Sequence, residues 1–220
     1  MRRSCLCTLL VFLIAGQITN ANNEDPNDPN EMLQIKLGAD VKDPNDLKKL
    51  LQLKWDAIIC VLQKKDIDQK AKEKQFNKII TPIFDLPLMA KLALGSKHWP
   101  KSNLPQREKY TQLFTERLKS SYWETIKLYK DEKVLFKPAV QNKKNKKTVY
   151  IPVELISKDD KTTILYKFRK VDLPQVNWKI YDVEIQGVSI LLTYRAQFDD
   201  ILSNGNVKDL LSQLEKPPEP

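Results

Sequence analysis

A change of hydrophobic period partway along the chain constrains its fold more than any other feature. Leu47, Leu50, Leu51, Trp55, Ile58, Ile59 and Leu62 recur at steps of three and four, which puts one apolar stripe on a helix. Further on, Val149, Ile151, Val153 and Leu155 recur at steps of two, as a half-buried strand requires. Ile164, Tyr166 and Phe168 repeat that alternation, and Trp178 and Ile180 begin a third run that Val183, Ile185, Val188 and Ile190 continue past a break near Gly187. Short turns between such runs give an antiparallel sheet, and helices gathered ahead of it give the α+β class.

The helical half has further punctuation. Phe76, Ile79, Ile80 and Ile83 mark a second helix, disturbed at Pro82 and Pro87. Leu88, Met89, Leu92 and Ala93 form another apolar face that Gly95 ends. Asn103-Leu-Pro-Gln106 is a capping-box start, and Tyr110, Phe114, Leu118, Tyr122, Ile126 and Tyr129 stack along the helix that follows. In the sheet half, Pro152 points to an edge strand, because it cannot donate to a ladder. Residues 158–161 read as a turn, and Tyr194–Leu202 and Val207–Leu214 as closing helices.

Upstream, Arg2 and Arg3 precede an apolar run from Leu6 to Gly16, and the small residues Thr19 and Ala21 follow. This is the pattern of a cleaved signal peptide over residues 1–21, and the run falls short of the ~20 residues that span a bilayer. Residues 22–45, rich in Asp, Asn and Pro, read as a flexible leader, residues 46–216 as one domain, and 217–220 as a tail. Cleavage removes Cys5 and Cys7, leaving Cys60 unable to form an internal disulfide, which suits a periplasmic protein held by its core. It also lowers the formal charge from +9 to +7. Arginine occurs only at positions 2, 3, 107, 117, 169 and 195, so the basic excess is lysine and argues against nucleic acid. Anionic headgroups or an acidic protein surface suit it better, and Lys143–Lys147 reads as a solvated hairpin loop that could dock to either.

Catalytic patterns are scarce. His98, the single histidine, lies between two helical segments with no cysteine, carboxylate or serine at useful spacing, and reads as a surface or hinge residue. Cys60 falls on an apolar helix side, and no phosphate-cradling glycine loop occurs. Neither a metal site nor a cofactor is expected.

Three blocks carry a resemblance: FDLPLMAKLALGSKHW (84–99), QREKYTQLFTERLKSSYWETIKLY (106–129) and NWKIYDVEIQGVSILLTYRAQFDDIL (177–202). In this order they resemble the MlaC family of periplasmic phospholipid-binding proteins, auxiliary components of ABC transport also associated with toluene tolerance. The last block, W-K-x-Y-D-V-x-x-x-G-V-S followed by Y-R-x-Q-F, is the most specific. Leu86-Pro87-Leu88 departs from the family pattern, where an aromatic and non-proline residues are more usual.

The resemblance implies a monomeric, non-catalytic shuttle. It would carry a two-chain phospholipid between an outer-membrane lipoprotein complex and an inner-membrane MCE-type ABC transporter. The chains would lie in an apolar cavity between a curved sheet and packed helices. Phe84, Met89, Leu92, Phe114, Leu118 and Tyr122 are the expected helical lining. Val153, Tyr166, Phe168, Trp178 and Ile180 are the expected sheet lining, with Val183, Ile185, Val188, Ile190 and Phe198 completing it. Arg195 is the candidate for the phosphodiester, with an ion pair to Asp182 or Asp199 as its competing role. An enzyme on a similar cavity, with Asp182 or His98 pointing inside, and a non-transporting adaptor are the two other readings.

Overall fold

The structure, a computed structural model, describes residues 43–158, 160–172 and 176–216. The expected signal peptide, nearly all of the expected leader, Asp159 and the tail lie outside the described residues. The first helix, α1 (Pro44–Gln63), opens with Asp43 accepting from the Asn45 N–H and Pro44 in its first turn. The DPND of residues 43–46, which reads as leader, therefore starts α1. Next come α2 (Gln69–Ile80), a single 3-10 turn at Thr81–Ile83, and α3 (Leu86–His98). Pro87 sits in the first turn of α3 behind the Asp85 cap, where its missing N–H costs nothing, so the departure from the family pattern leaves a sound helix start. A short turn at Trp99–Lys101 leads to α4 (Leu104–Ile126), which has the expected Asn103/Gln106 capping box. Tyr129 lies beyond its end.

Six antiparallel strands follow: β1 (Lys133–Phe136), β2 (Val140–Gln141), β3 (Thr148–Ile156), β4 (Lys161–Asp172), β5 (Val176–Ile185) and β6 (Val188–Ser189). Their order is β1-β3-β4-β5-β6, with β2 also on β3. Two helices close the chain, α5 (Ile190–Asn204) and α6 (Val207–Leu214).

Two expectations are corrected here. β3 is an interior strand, not an edge: β4 pairs along one side of it, and β1 and β2 share the other. The Pro152 carbonyl accepts from the Lys137 N–H, so its missing donor faces the gap between β1 and β2, where no ladder bond is lost. Ile190 does not continue a strand. Gln186 and Gly187, at φ 51 and 80, make a two-residue reversal into β6, and Ser189 then caps α5 at Ile190. The run in β5 changes parity along its length. Among the described side chains of β5 the buried apolar residues are Trp178, Ile180 and Val183, because the register with β4 slips by one residue between Lys167 and Phe168. Tyr181 is the extra residue, and such a bulge bends its sheet.

The core has three parts. Leu47, Leu51 and Trp55 of α1 pack on Val149, Ile151, Tyr166, Phe168 and Ile180 of the sheet. Met89 and Leu94 of α3, Tyr110 and Phe114 of α4, Phe198 of α5 and Leu210 of α6 form a helical core. Ile58 and Val61 of α1 meet Phe76 and Ile79 of α2 and Trp123 of α4 in the third. Among the described residues no helix is long and apolar enough to cross a membrane.

Candidate functional site: the cavity between sheet and helices

Where the three core parts converge, the packing leaves a cavity of about 60 Å³. Leu51, Lys54, Trp55 and Ile58 of α1, Phe76 and Ile80 of α2, and Tyr122 and Ile126 of α4 form its helical walls. Ile83 and Phe84 close one side, and Tyr166 rises from β4. The Trp55 Nε1–H donates to the Tyr166 hydroxyl at 3.2 Å, which satisfies both buried polar tips. Burial pushes the Tyr166 phenol far above its ordinary range. Burial does the same to Tyr122, reinforced by nearby Tyr166, Asp182 and Tyr194. The Tyr122 hydroxyl is sealed from solvent with no hydrogen-bond partner among the described residues. Lys54 is only 1 % exposed.

A second, open cleft of about 700 Å³ lies between α4, α5, α6 and the β5–β6 hairpin. Ile185, Val188, Ile190 and Phe198 line it beside polar Arg117, Thr193, Gln197 and Asp200. The residues expected to line one cavity are thus distributed over four places. Phe84, Tyr122 and Tyr166 reach the inner cavity. Val153, Phe168, Trp178, Ile180 and Val183 are buried in the sheet core. Met89, Phe114 and Leu118 are buried in the helical core, with Leu92 at its margin and Phe198 shared between that core and the cleft. Ile185 and Ile190 border the cleft, and Val188, 59 % exposed, sits on its rim. The α1 and α2 wall was not anticipated, although the stripe through Leu51, Trp55 and Ile58 signalled a buried face. Among the described residues, no three His, Cys, Asp or Glu side chains gather as metal ligands would.

The family model of the MlaC protein matches residues 54–216, which include α2 to α6, the whole sheet and the second half of α1 with Trp55 and Ile58 of the cavity wall. The chain belongs to the MlaC family. Its fold is also that of a solved phospholipid-binding protein from Ralstonia solanacearum, in complex with a phospholipid. The two share 20 % identity over 76 % of this chain and 93 % of the other, with a TM-score of 0.66.

The first and third of the blocks that carry the MlaC resemblance meet in space as one joint. Gly95, at φ 78, breaks α3 and frees the Leu92 carbonyl, which then accepts from Arg195 of α5 at Nε (2.9 Å) and at Nη2. A Cβ at Gly95 would lie 3.2 Å from Arg195 Nε, so glycine permits both the turn and the close approach. Neither expected ion pair of Arg195 forms: Asp182 pairs with Lys167 and accepts from Ser189, while Asp199 meets His98 and Lys97. His98 is also corrected. It is buried, and its Nε2 lies 2.5 Å from Asp199 Oδ1, a partner 101 residues away that no local spacing could reveal. On the sheet side, the Asp85 N–H donates to the Ile180 carbonyl at 2.8 Å and its carboxylate pairs with Arg169 at 2.6 Å. Lys179 donates to the Pro82 carbonyl at 2.6 Å.

Proposed function

We propose that this MlaC-family chain is a phospholipid carrier of the periplasm. It takes up a two-chain lipid between α1, α2 and the sheet and passes it between an outer-membrane lipoprotein complex and an MCE-type ABC transporter. The observation that carries the reading is the cavity between the sheet and a helical wall built from aliphatic and aromatic side chains. Exposing two sixteen-carbon chains to water costs on the order of 25 kcal/mol, so a carrier must offer continuous apolar surface. The present cavity of about 60 Å³ is far below the roughly 300–1,000 Å³ of ordinary ligand pockets. Loading therefore requires α1 to move off the sheet. That movement exchanges apolar protein contacts for apolar lipid contacts at little net cost.

The geometry supports a carrier over an enzyme. An enzyme on this cavity would need Asp182 or His98 facing inward, and neither lines it; both are held by partners elsewhere. Native intact-mass measurement of the purified protein, followed by solvent extraction, tests the reading. A bound two-chain phospholipid in stoichiometric amount is expected. A bare polypeptide mass, with no lipid in the extract and none taken up from vesicles, would overturn it.

A further inference from the structure

The loop between β2 and β3 concentrates positive charge as no other part of the sheet does. Residues 133–153 contain six lysines and no aspartate or glutamate. Four of those lysines, Lys143, Lys144, Lys146 and Lys147, fall within the loop, and all four are exposed. Elsewhere on the sheet, carboxylates face cations: Glu154 meets Lys137 and Lys161, Asp182 and Glu184 meet Lys167, and Asp85 meets Arg169. Lys143, Lys144 and Lys146 form no ion pair among the described residues. Crowded like charges repel one another, so the cluster does nothing for the stability of the folded chain.

The loop also holds a fixed shape. The Asn142 Oδ1 accepts from the N–H groups of Lys144 and Asn145 at 2.9 and 3.3 Å, and the Asn145 Oδ1 accepts from the Lys147 N–H at 3.0 Å. The Gln141 side-chain amide donates to the Lys146 carbonyl at 3.0 Å, and the Lys170 N–H of β4 donates to the Lys147 carbonyl at 2.8 Å. The backbone is thus set before a partner arrives, and only side chains remain to be ordered on binding. Next to the loop, Val140 of β2 is 52 % exposed.

We propose that this loop, through Lys143, Lys144 and Lys146 with Val140 beside them, docks the protein on the surface of a bilayer that contains anionic lipid. Lysine is a compact charge on a flexible stem, so it meets phosphodiesters without a paired geometry. Residues 142–147 include neither arginine nor an aromatic, the types that protein interfaces gather while they shed lysine. An exposed aliphatic side chain among lysines suits the boundary between headgroups and acyl chains. None of these residues lines the inner cavity, so docking and lipid uptake are separate properties. The inference goes beyond the carrier reading and does not depend on it.

The test is cosedimentation of the purified protein with vesicles of phosphatidylcholine, alone or mixed with phosphatidylglycerol. Each lysine brought to an anionic surface contributes about fivefold to the partition. Wild type should bind the mixed vesicles, less so as salt is added, and leave the phosphatidylcholine vesicles unbound. Lys143→Gln/Lys144→Gln/Lys146→Gln should lose about a hundredfold, and Lys144→Glu alone about twentyfold. Lys65→Gln/Lys101→Gln/Lys208→Gln removes the same charge from scattered exposed positions and should lose no more than about threefold. Circular dichroism checks that each variant is folded, as substitution of exposed lysines predicts. Equal losses in the two triple variants would overturn the proposal by assigning binding to net charge. Failure of wild type to bind the mixed vesicles would also overturn it, and loop-dependent capture by immobilised polyglutamate would then assign the loop to an acidic protein. Native mass spectrometry reads the cavity separately, and the loop variant should retain as much lipid as wild type. An empty cavity with loop-dependent vesicle binding would remove the carrier reading and leave the docking surface standing.

Discussion

The joint between α3, α5 and β5 and the wall formed by α1 and α2 are both buried, yet they are held in different ways. At the joint, hydrogen bonds and ion pairs link elements distant in sequence: Arg195 to Leu92, His98 to Asp199, Asp85 to Ile180 and Arg169, and Lys179 to Pro82. Against the sheet, α1 presents Leu47, Leu51 and Trp55, with Trp55 donating to Tyr166. Hydrogen bonds are directional and leave costly orphans when broken, whereas apolar contact tolerates sliding and substitution by another apolar surface. Separating α3 from α5 would strand a carbonyl, a guanidinium and a carboxylate. Lifting α1 over acyl chains would strand few such groups. On the proposed carrier reading, the joint is the part that stays fixed and α1 the part that lifts.

The sharpest way to break this contrast is to strike the joint. Gly95→Val forces a β-branched residue to φ 78 and drives its Cβ into Arg195. It should cost roughly 2–4 kcal/mol in urea unfolding, from backbone strain plus overpacking. Arg195→Ala leaves the Leu92 carbonyl uncapped and should cost about 2 kcal/mol, as for a lost bond to a charged donor. Its folded fraction should load lipid as wild type does. Unchanged stability with lost lipid loading would instead return Arg195 to the headgroup role. On the opening side, Trp55→Phe removes the bond to Tyr166 and should cost about 1 kcal/mol. It should also speed lipid exchange between protein and vesicles, measured by fluorescence. Ile58→Trp places a larger ring into the inner cavity and should shift stability by less than about 1 kcal/mol, since the added volume has space to enter. Lipid loading should nevertheless fall sharply. If loading survives, the chains lodge elsewhere, and the open cleft between α4, α5 and α6 becomes the candidate.

Several elements of this fold were readable because their signals are local. The α1 stripe, the Asn103/Gln106 box and the Val207–Leu214 helix depend on residues within a turn or two of each other. Trp178, Ile180, Val183 and Ile185 were grouped as one run, and the bulge at Tyr181 explains the step of three between Ile180 and Val183. Pro152 misled because a missing donor is as harmless opposite a gap in the neighbouring chain as at an edge. The cavity was read only in kind. Every expected lining residue is apolar or aromatic apart from Arg195, and such residues fill a core as readily as they line a space. Phe84, Tyr122 and Tyr166 were therefore grouped with residues that pack solidly in the sheet and helical cores.

The order of periods along this chain was enough to set helices apart from an antiparallel sheet, and three blocks in the order of the MlaC family were enough to place it with the MlaC proteins. Both rest on patterns that neighbouring residues carry in themselves. Why those blocks contain Gly95, His98, Arg195 and Asp199 emerged only from packing, since each pair is about a hundred positions apart and acts through a few ångströms of contact.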